Sequence, residues 1–395
     1  MRIAVVSPHL PTKALPMRGV SHDEQLRLFA EAGHEVRAVV PLPWSVRRWL
    51  AGTRIPDEEC DGPVVVVHPH YPRVPHVWRG PALAVERRLF ARAARAALNA
   101  GVGAAELPDV VLAHSVSLPG GLLGRIGGAT FVVSLYDHEL YDWAPKSGIV
   151  RDAIVRTLRS ADCAVYLSDA LRRYAVELAG PHRNVVIPLG IDTDADVSQA
   201  PPPAFTVSTV TRLIPRKRVD HLIRAFARLA AERSDARLVI VGDGPERPML
   251  IRLVQALGLG EKVEFTGELD RGAARERIVR SNVMALPSVR ESLGAVYLEA
   301  MALGVPALGT RGEGIEEHIE HGVSGILVPP GDDEVLFAEL RALAVDRDRA
   351  RRIGVAGRRR FLAGPFSWRA NVQAYLALFE ELWSGRGRGR ATHTT

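Results

Sequence analysis

Two stretches of the chain carry residue types whose spacing could hold and activate a phosphorylated ligand. The first is Pro287-Ser288-Val289-Arg290-Glu291-Ser292-Leu293-Gly294-Ala295-Val296-Tyr297-Leu298-Glu299-Ala300-Met301-Ala302. An apolar run before it reads as a strand ending at 286–287, and a short loop leads into a helix near Ser292, Leu293 and Gly294. The first turn of a helix has unpaired N–H groups and the positive end of the dipole, so it suits an anion such as a diphosphate. Gly294 lets the backbone approach the ligand closely. Glu299, roughly one and a half turns further in, could accept hydrogen bonds from the vicinal hydroxyls of a ribose. Glu291 stands in the loop, beside where a sugar on the diphosphate would lie. A capped helix with solvent-exposed glutamates is the alternative that the same residues allow.

The second stretch is Val210-Thr211-Arg212-Leu213-Ile214-Pro215-Arg216-Lys217-Arg218-Val219-Asp220, with four cations in seven residues between a strand and a helix. In a doubly wound sheet, loops at the C-terminal ends of strands point into the ligand crevice. There Arg212 and Lys217 could both reach one diphosphate and offset the charge of a leaving group. An isolated basic run of this kind is otherwise a solvated loop. Here both charged loops would lie on the same edge of one sheet.

These loops need a frame to hold them. The first half alternates short apolar runs at 3–7, 34–40, 64–68, 110–113 and 131–134 with helical stretches at 21–32 and 79–99. Such alternation argues for a parallel sheet covered on both faces. At 188–204 the composition changes, and Asp192-Thr193-Asp194-Ala195-Asp196 and Pro201-Pro202-Pro203 mark a linker or hinge. The pattern then restarts, with strands at 205–210, 238–241, 263–266, 283–286 and 305–308 and helices at 219–233, 247–257 and 293–303. A turn, Gly242-Asp243-Gly244-Pro245, follows the second of these strands. The resulting organisation is an N-terminal α/β domain at 1–195, a C-terminal α/β domain at 196–366, a last helix at 367–384 and a tail at 385–395. In the tail Arg386, Arg388 and Arg390 alternate with glycine, which predicts disorder.

The bulk properties agree with two such domains. The chain has 395 residues, 47% hydrophobic and 24% charged, as an ordinary soluble globular protein does. Its formal charge is +6, half of it in the tail, which is too little to argue for nucleic acid. Such an excess suits an anionic ligand or a membrane surface equally well. Cys60 and Cys163 lack ligand spacing, so neither a disulfide framework nor a zinc site is expected. The apolar run after Met1 is too short for a signal peptide and reads as a buried strand. No stretch has about 18 uninterrupted apolar residues, so a cytosolic protein is expected.

Together the motifs resemble the retaining glycosyltransferases of family four, also called glycosyl transferases group 1. The matching residues are Arg212-Leu213, Pro215 and Lys217, the turn Gly242-Asp243-Gly244-Pro245, Phe265-Thr266-Gly267, and Glu291 and Glu299 with seven residues between them. They continue through Glu299-Ala300-Met301-Ala302, Gly304, Pro306, Gly314-Ile315, Glu317, Gly322, Gly325, Leu327-Val328 and Pro330. In the N-terminal half the likeness is looser: Pro16, Arg18-Gly19, Ala32-Gly33-His34-Glu35-Val36, Asp109, His114-Ser115, Ile187-Pro188 and Gly190-Ile191-Asp192. The resemblance extends to about Trp383. It implies an α/β, GT-B fold, with two Rossmann-like domains facing across a cleft.

The resemblance also implies roles. Arg212 and Lys217 would hold the diphosphate, and Glu299 the ribose. Glu291 would lie near the donor sugar, and Gly19 would let the first loop approach the phosphate. Gly242, Ser292, Leu293 and Gly294 complete the expected donor-binding set. The last helix would cross back to the first domain. Transfer would proceed by front-face substitution, with the departing phosphate taking the acceptor proton, so no strong general base is required.

One departure stands out. The family often has a histidine after the strand at 131–134, near the reacting sugar, and here Tyr136 occupies that place in Ser134-Leu135-Tyr136-Asp137-His138-Glu139. His138, two residues on, and His114 are the remaining histidine candidates. Each could equally be structural, and Tyr136 or Asp137 could do the positioning instead. Asp192-Thr193-Asp194 looks like a metal motif but sits in the linker, and the cations and helix dipole already supply the stabilisation that Mg²⁺ would give. No metal or other cofactor is expected.

The partners expected are a nucleotide-sugar donor, UDP-sugar ahead of GDP-sugar, and a glycan, lipid-linked or small-molecule acceptor. Pro43-Trp44-Ser45-Val46-Arg47-Arg48-Trp49-Leu50 would suit a peripheral membrane contact at the inner face of the cell membrane, or a short helix packed on its domain. Tyr71, Trp78, Tyr141 and Trp143 would line an acceptor site or simply pack. Two other readings fit the same frame: a sugar-nucleotide epimerase, for which the first half lacks a carboxylate cluster, and a nucleotide-binding scaffold without catalysis.

Overall fold

The computed structural model describes residues 1–8, 20–44, 57–72, 81–99, 107–114, 126, 128–136, 138–191 and 203–390. Contacts divide the chain into two units, Met1–Gly190 with Trp368–Thr395, and Ile191–Ser367.

The first unit contains β1 (Arg2–Val6), β2 (Glu35–Val39), β3 (Leu42–Trp44), β4 (Glu58–Asp61), β5 (Val64–Val67), β6 (His70–Pro72), β7 (Val110–His114), β8 (Thr130–Leu135), β9 (Cys163–Tyr166) and β10 (Asn184–Val186). Eight of them form one sheet in the order β10-β9-β8-β7-β1-β2-β5-β4, and β3 pairs with β6 alone. Every neighbouring pair in the large sheet is parallel except β4–β5. The apolar runs read from the sequence are its centre, and β8 is buried along its whole length because helices cover both faces. The antiparallel edge strand β4 has no apolar signature, being Glu58-Glu59-Cys60-Asp61. Charged residues on an edge strand discourage pairing with another chain.

Helices α1 (Val20–Glu31), α2 (Pro81–Asn99), α3 (Gly148–Ser160) and α4 (Asp169–Ala179) alternate with these strands. Ser168 Oγ caps α4 by accepting the Leu171 N–H at 3.2 Å. The C-terminal helix, Trp368–Arg390, also belongs to this unit. Its Trp368, Val372, Tyr375, Phe379 and Leu382 recur at helical spacing and are buried, and Tyr375 and Phe379 pack on Phe29 of α1. The backbone stays helical through 385–390, where the glycine–arginine alternation predicts disorder. Adding residues to turns already fixed by packing needs no new nucleus.

The second unit holds β11 (Thr206–Val210), β12 (Arg237–Val241), β13 (Val263–Gly267), β14 (Val283–Ala285), β15 (Ala307–Thr310) and β16 (Ile326–Val328), all parallel, in the order β13-β12-β11-β14-β15-β16. The connections step outward from β11 in one direction, then return to its other side for β14. The strand order therefore reverses between β11 and β14, the topological switch point of a doubly wound sheet, where ligands bind at the strands' C-terminal ends.

Its helices are α5 (Val219–Glu232), α6 (Arg247–Ala256), α7 (Arg271–Val279), α8 (Ala295–Ala302), α9 (Asp333–Val345) and α10 (Arg347–Ala363). In α5 the buried residues Val219, Leu222, Ile223, Phe226, Leu229 and Ala230 form one stripe at i, i+3, i+4 spacing. Asp270, Asp332 and Asp346 cap α7, α9 and α10 by accepting backbone N–H groups of the first turns.

Helix α10 presses its small residues against the unit. A Cβ on Gly354 would stand 2.0 Å from the Gly304 carbonyl oxygen, and one on Gly357 would stand 2.7 Å from that of Ser324. Four of its arginines, Arg351, Arg352, Arg359 and Arg360, are exposed, while Arg358 donates to the Ala302 carbonyl. A glycine-to-alanine change inside an exposed helix stabilises by up to about 1 kcal/mol. Here the sign reverses: Gly354→Ala should destabilise by about 2–3 kcal/mol through the backbone clash, read as a lower urea midpoint. An unchanged or higher midpoint would show that α10 is not seated this way.

Candidate functional site

The loop after β11 is held down by backbone bonds to the loop after β12. Thr211 N–H donates to Val241 O, and Leu213 N–H to Asp243 O, both at 2.9 Å. The close approach explains the glycines of the Gly242–Pro245 turn: a Cβ on Gly242 would lie 1.9 Å from Thr211 O, and one on Gly244 2.3 Å from Leu213 O. Gly242 also has φ +125°, a value that side chains rarely adopt. The loop continues into one turn of 3₁₀-helix, Pro215–Lys217, and Arg218 takes a left-handed conformation before α5.

Directly across the switch point lies the loop after β14. The two loops are tied by Val289 N–H to Arg216 O at 2.8 Å and by Arg216 Nη1 to Arg290 O at 3.0 Å. The Lys217 ammonium donates to Glu291 Oε2, which also accepts Ser288 Oγ–H at 3.0 Å. Glu291 is only 3% exposed, so its charge depends on these donors. Behind them the fully buried Tyr297 hydroxyl meets Ser288 Oγ and the Leu286 carbonyl, and burial pushes its phenol well above the usual range. Gly294 has φ +68°, and a Cβ there would stand 2.3 Å from the Tyr297 ring. That left-handed residue caps α8, so the helix starts at Ala295 and not at 293 as its apolar pattern suggests.

The structure thus brings Lys217, Glu291, Ser292, Leu293 and Gly294 together, with Glu299 one turn into α8. Ser292 and Leu293 are buried, and the N–H groups of Ser292, Leu293 and Gly294 have no acceptor among the described residues. Arg212 is exposed, and its side chain has no partner among the described residues. The Glu299 carboxylate is mostly buried, 3.7 Å from Arg271 Nη2. An ammonium has three N–H donors, so Lys217 can hold Glu291 and still offer two to an anion.

Sequence reasoning missed the residues that hold Glu291. Ser288 and Tyr297 lie inside the motif, and a hydroxyl three residues before a buried carboxylate was the signal. Glu313 gave a weaker one, an acid between two glycines on the loop after β15. Its carboxylate accepts the N–H of Arg290 at 2.9 Å and of Glu291 at 2.7 Å, and burial raises it above the ordinary carboxylate range.

In the first unit, His114 ends β7 and is 2% exposed. Tyr136 Oη lies 3.2 Å from His114 Nδ1, and His114 Nε2 lies 3.0 Å from Gln25 Oε1. Gln25 Nε2 donates to Asn371 Oδ1 at 2.8 Å, and Asn371 Nδ2 donates to Pro188 O at 2.6 Å. A carbonyl can only accept, so Pro188 fixes the direction of the whole chain: His114 carries its proton on Nε2, and its Nδ1 accepts from Tyr136. Both ring nitrogens are engaged, and His114 is placed to support Tyr136. Burial pushes the Tyr136 phenol well above its ordinary range, so it stays protonated.

His138 begins a π-helical turn, His138–Trp143, but its side chain, like Gly19, Asp137, Asp192-Thr193-Asp194, 45–50 and Trp78, lies outside the described residues. Tyr71 and Tyr141 are core residues, packed on Phe90 and Tyr174, which removes them from an acceptor-site lining. Trp143 is exposed.

Two measurements check these assignments. Lys217→Ala should leave Glu291 buried with one cation fewer and cost about 3 kcal/mol. In denaturant titrations, Glu291→Ala added to it should cost much less than its own single effect. Full additivity would mean that the two side chains do not depend on each other. Gln25→Leu should strand donors and acceptors on both sides and cost about 2 kcal/mol; an unaltered midpoint would break the proposed chain.

A glycosyl transferase 4-like domain matches residues 20–190, and the family described as glycosyl transferases group 1 matches residues 191–360. The GDP-mannose-dependent alpha-(1-6)-phosphatidylinositol monomannoside mannosyltransferase of Mycolicibacterium smegmatis is 32% identical over 300 residues, covering 70% of this chain and 76% of its own. The N-acetyl-alpha-D-glucosaminyl L-malate synthase of Bacillus anthracis is 42% identical over 142 residues, 36% of each chain. Among solved structures, the sucrose-phosphate synthase of Thermosynechococcus elongatus superposes with a TM-score of 0.78 at 20% identity, covering 98% of this chain and 100% of its own. Anabaena HepE in complex with UDP-glucose gives 0.71 at 18% identity, over 96% and 100%. With two Rossmann-like halves of the GT-B fold and this likeness along most of its length, the chain belongs to the glycosyl transferases group 1 and is a glycosyltransferase.

Proposed function

We propose that the protein is a cytosolic, retaining, metal-independent glycosyltransferase that moves a sugar from a nucleoside diphosphate sugar to a hydroxyl of a glycan, lipid-linked or small-molecule acceptor. The observation that carries this reading is the switch-point arrangement: the Lys217–Glu291 pair beside the acceptor-free N–H groups of 292–294. A diphosphate there would meet the spare N–H donors of Lys217, Arg212, which has no partner among the described residues, and the N-terminal end of α8, which together offset its charge as it leaves. Glu299 would take the ribose hydroxyls, and Glu291 would face the donor sugar. The leaving phosphate would accept the proton of the incoming hydroxyl on the same face, which retains the anomeric configuration.

The name of the relative matched along most of the chain includes GDP-mannose. We therefore set GDP-mannose beside the UDP-sugars as the donors to try first. Among the described residues no helix is long and apolar enough to cross a membrane.

The test is a thermal-shift screen with UDP, GDP, ADP, UDP-glucose, UDP-N-acetylglucosamine and GDP-mannose, each with EDTA and with Mg²⁺. One nucleotide class should raise the melting temperature equally in both, because a ligand at 100 times its Kd adds about 2.7 kcal/mol to the folded state. Lys217→Ala and Glu299→Ala should each weaken that donor at least about tenfold, a loss of one charged contact. Product from an α-linked donor should be α-linked by NMR. A shift that needs Mg²⁺, or an inverted product, would overturn the metal-free or retaining assignment. No shift with any nucleotide would overturn the donor-site reading, and a shift without donor consumption in the presence of acceptor would favour a nucleotide-binding scaffold without catalysis.

A further inference from the structure

The loop that carries Glu291 has an unusual backbone. Arg290 is one of two non-glycine residues described with positive φ, at 56°, the left-handed region that a side chain disfavours. A left-handed residue of this kind turns successive N–H groups toward one point and forms a small anion-binding concavity. Here that concavity is already filled. The two carboxylate oxygens of Glu313 accept one N–H each, Oε1 from Arg290 and Oε2 from Glu291. The next residue completes the grip, because Gly314 N–H donates to the Glu291 carbonyl at 3.1 Å. The peptide at Glu291 is therefore held on both sides by 313–314, while Arg216 holds the Arg290 carbonyl.

We propose that Glu313 is a positioning residue for the donor site: a resident carboxylate that occupies the anion-binding turn at Arg290–Glu291 and thereby sets where Glu291 and the free N–H groups after it stand. This rests on the donor-site reading above. Glu313 takes the first two N–H groups of the loop, so the donor's diphosphate is directed to the following ones, at 292–294. With its backbone fixed, the Glu291 side chain is delivered to Lys217 and Ser288 and faces the sugar rather than the nucleotide. A loose loop would let the carboxylate swing away from Lys217. Nucleotide contacts at Glu299 and Arg212 stand on other segments and do not depend on the clamp.

Glu313→Gln keeps the shape and removes a buried charge, so the fold should survive it. One amide oxygen can replace one carboxylate oxygen, but the amide NH₂ faces the other N–H and cannot accept it. In the unliganded protein, hydrogen exchange at Arg290 or Glu291 should accelerate about tenfold, while the strands of the same unit keep their protection. With whichever of UDP-glucose and GDP-mannose the wild type binds, the variant should bind the sugar donor about tenfold more weakly and lose clearly less for free UDP or GDP, which keeps the contacts at Glu299 and Arg212 and feels only the shifted N–H groups of 292–294. Glu291→Gln should show the same split, and the double variant should be no worse than Glu291→Gln alone.

Unchanged exchange at 290–291 would overturn the clamp whatever the donor proves to be. Faster exchange with equal losses for donor and free nucleotide, or fully additive losses in the double variant, would overturn the positioning role. A wild-type protein that binds no nucleotide would fail the donor-site reading and with it the positioning role, while the exchange arm still decides the clamp.

Discussion

Glu291 is a charged group almost without access to water, and a buried charge demands answering donors. Much of the second unit's switch-point architecture can be read as the means of supplying them. Lys217 must come from the loop after β11, so that loop is drawn across the switch point and stitched to its neighbour by Arg216. Ser288 must donate, so its oxygen is placed within reach of the Tyr297 hydroxyl, which is bonded in turn to the Leu286 carbonyl. Tyr297 fills the space that a side chain at position 294 would need, so Gly294 has none. Replacing such a pair with apolar residues is often neutral or stabilising, so stability alone does not account for its presence.

The strongest motifs were legible because their physics is local. Cations between a strand and a helix, and a glycine before a helix with two glutamates separated by seven residues, mark loops whose place at the switch point follows once the strands are ordered. The strands of the second half were also legible, as short β-branched and apolar runs of a sheet buried on both faces. The partners of Glu291 were harder to see. Glu313 lies 22 residues from Glu291, on the far side of α8 and β15, and touches it through a backbone N–H that no residue type advertises.

The same limit hid the support of Tyr136. Gln25 and Asn371 are 346 residues apart, and nothing in either neighbourhood announces the other. His114 was legible as a candidate because histidine is chemically conspicuous. Its environment, a chain of donors whose direction a proline carbonyl fixes, decides what it can do. Edge strand β4 escaped for the opposite reason: its acidic residues protect an edge, and so erase the pattern that marks a strand.

Helix α10 has a consequence at the scale of the whole molecule. With glycines turned inward, it carries seven arginines against a single aspartate, a formal +6 that equals the excess of the entire chain. The tail adds three more arginines, so the rest of the sequence is formally −3. Positive charge is therefore concentrated in one helix and one tail, on a chain that is otherwise slightly acidic. At about 0.15 M salt such charge is felt only within about 8 Å, so a charged matrix meets these segments one at a time rather than the net charge of the chain.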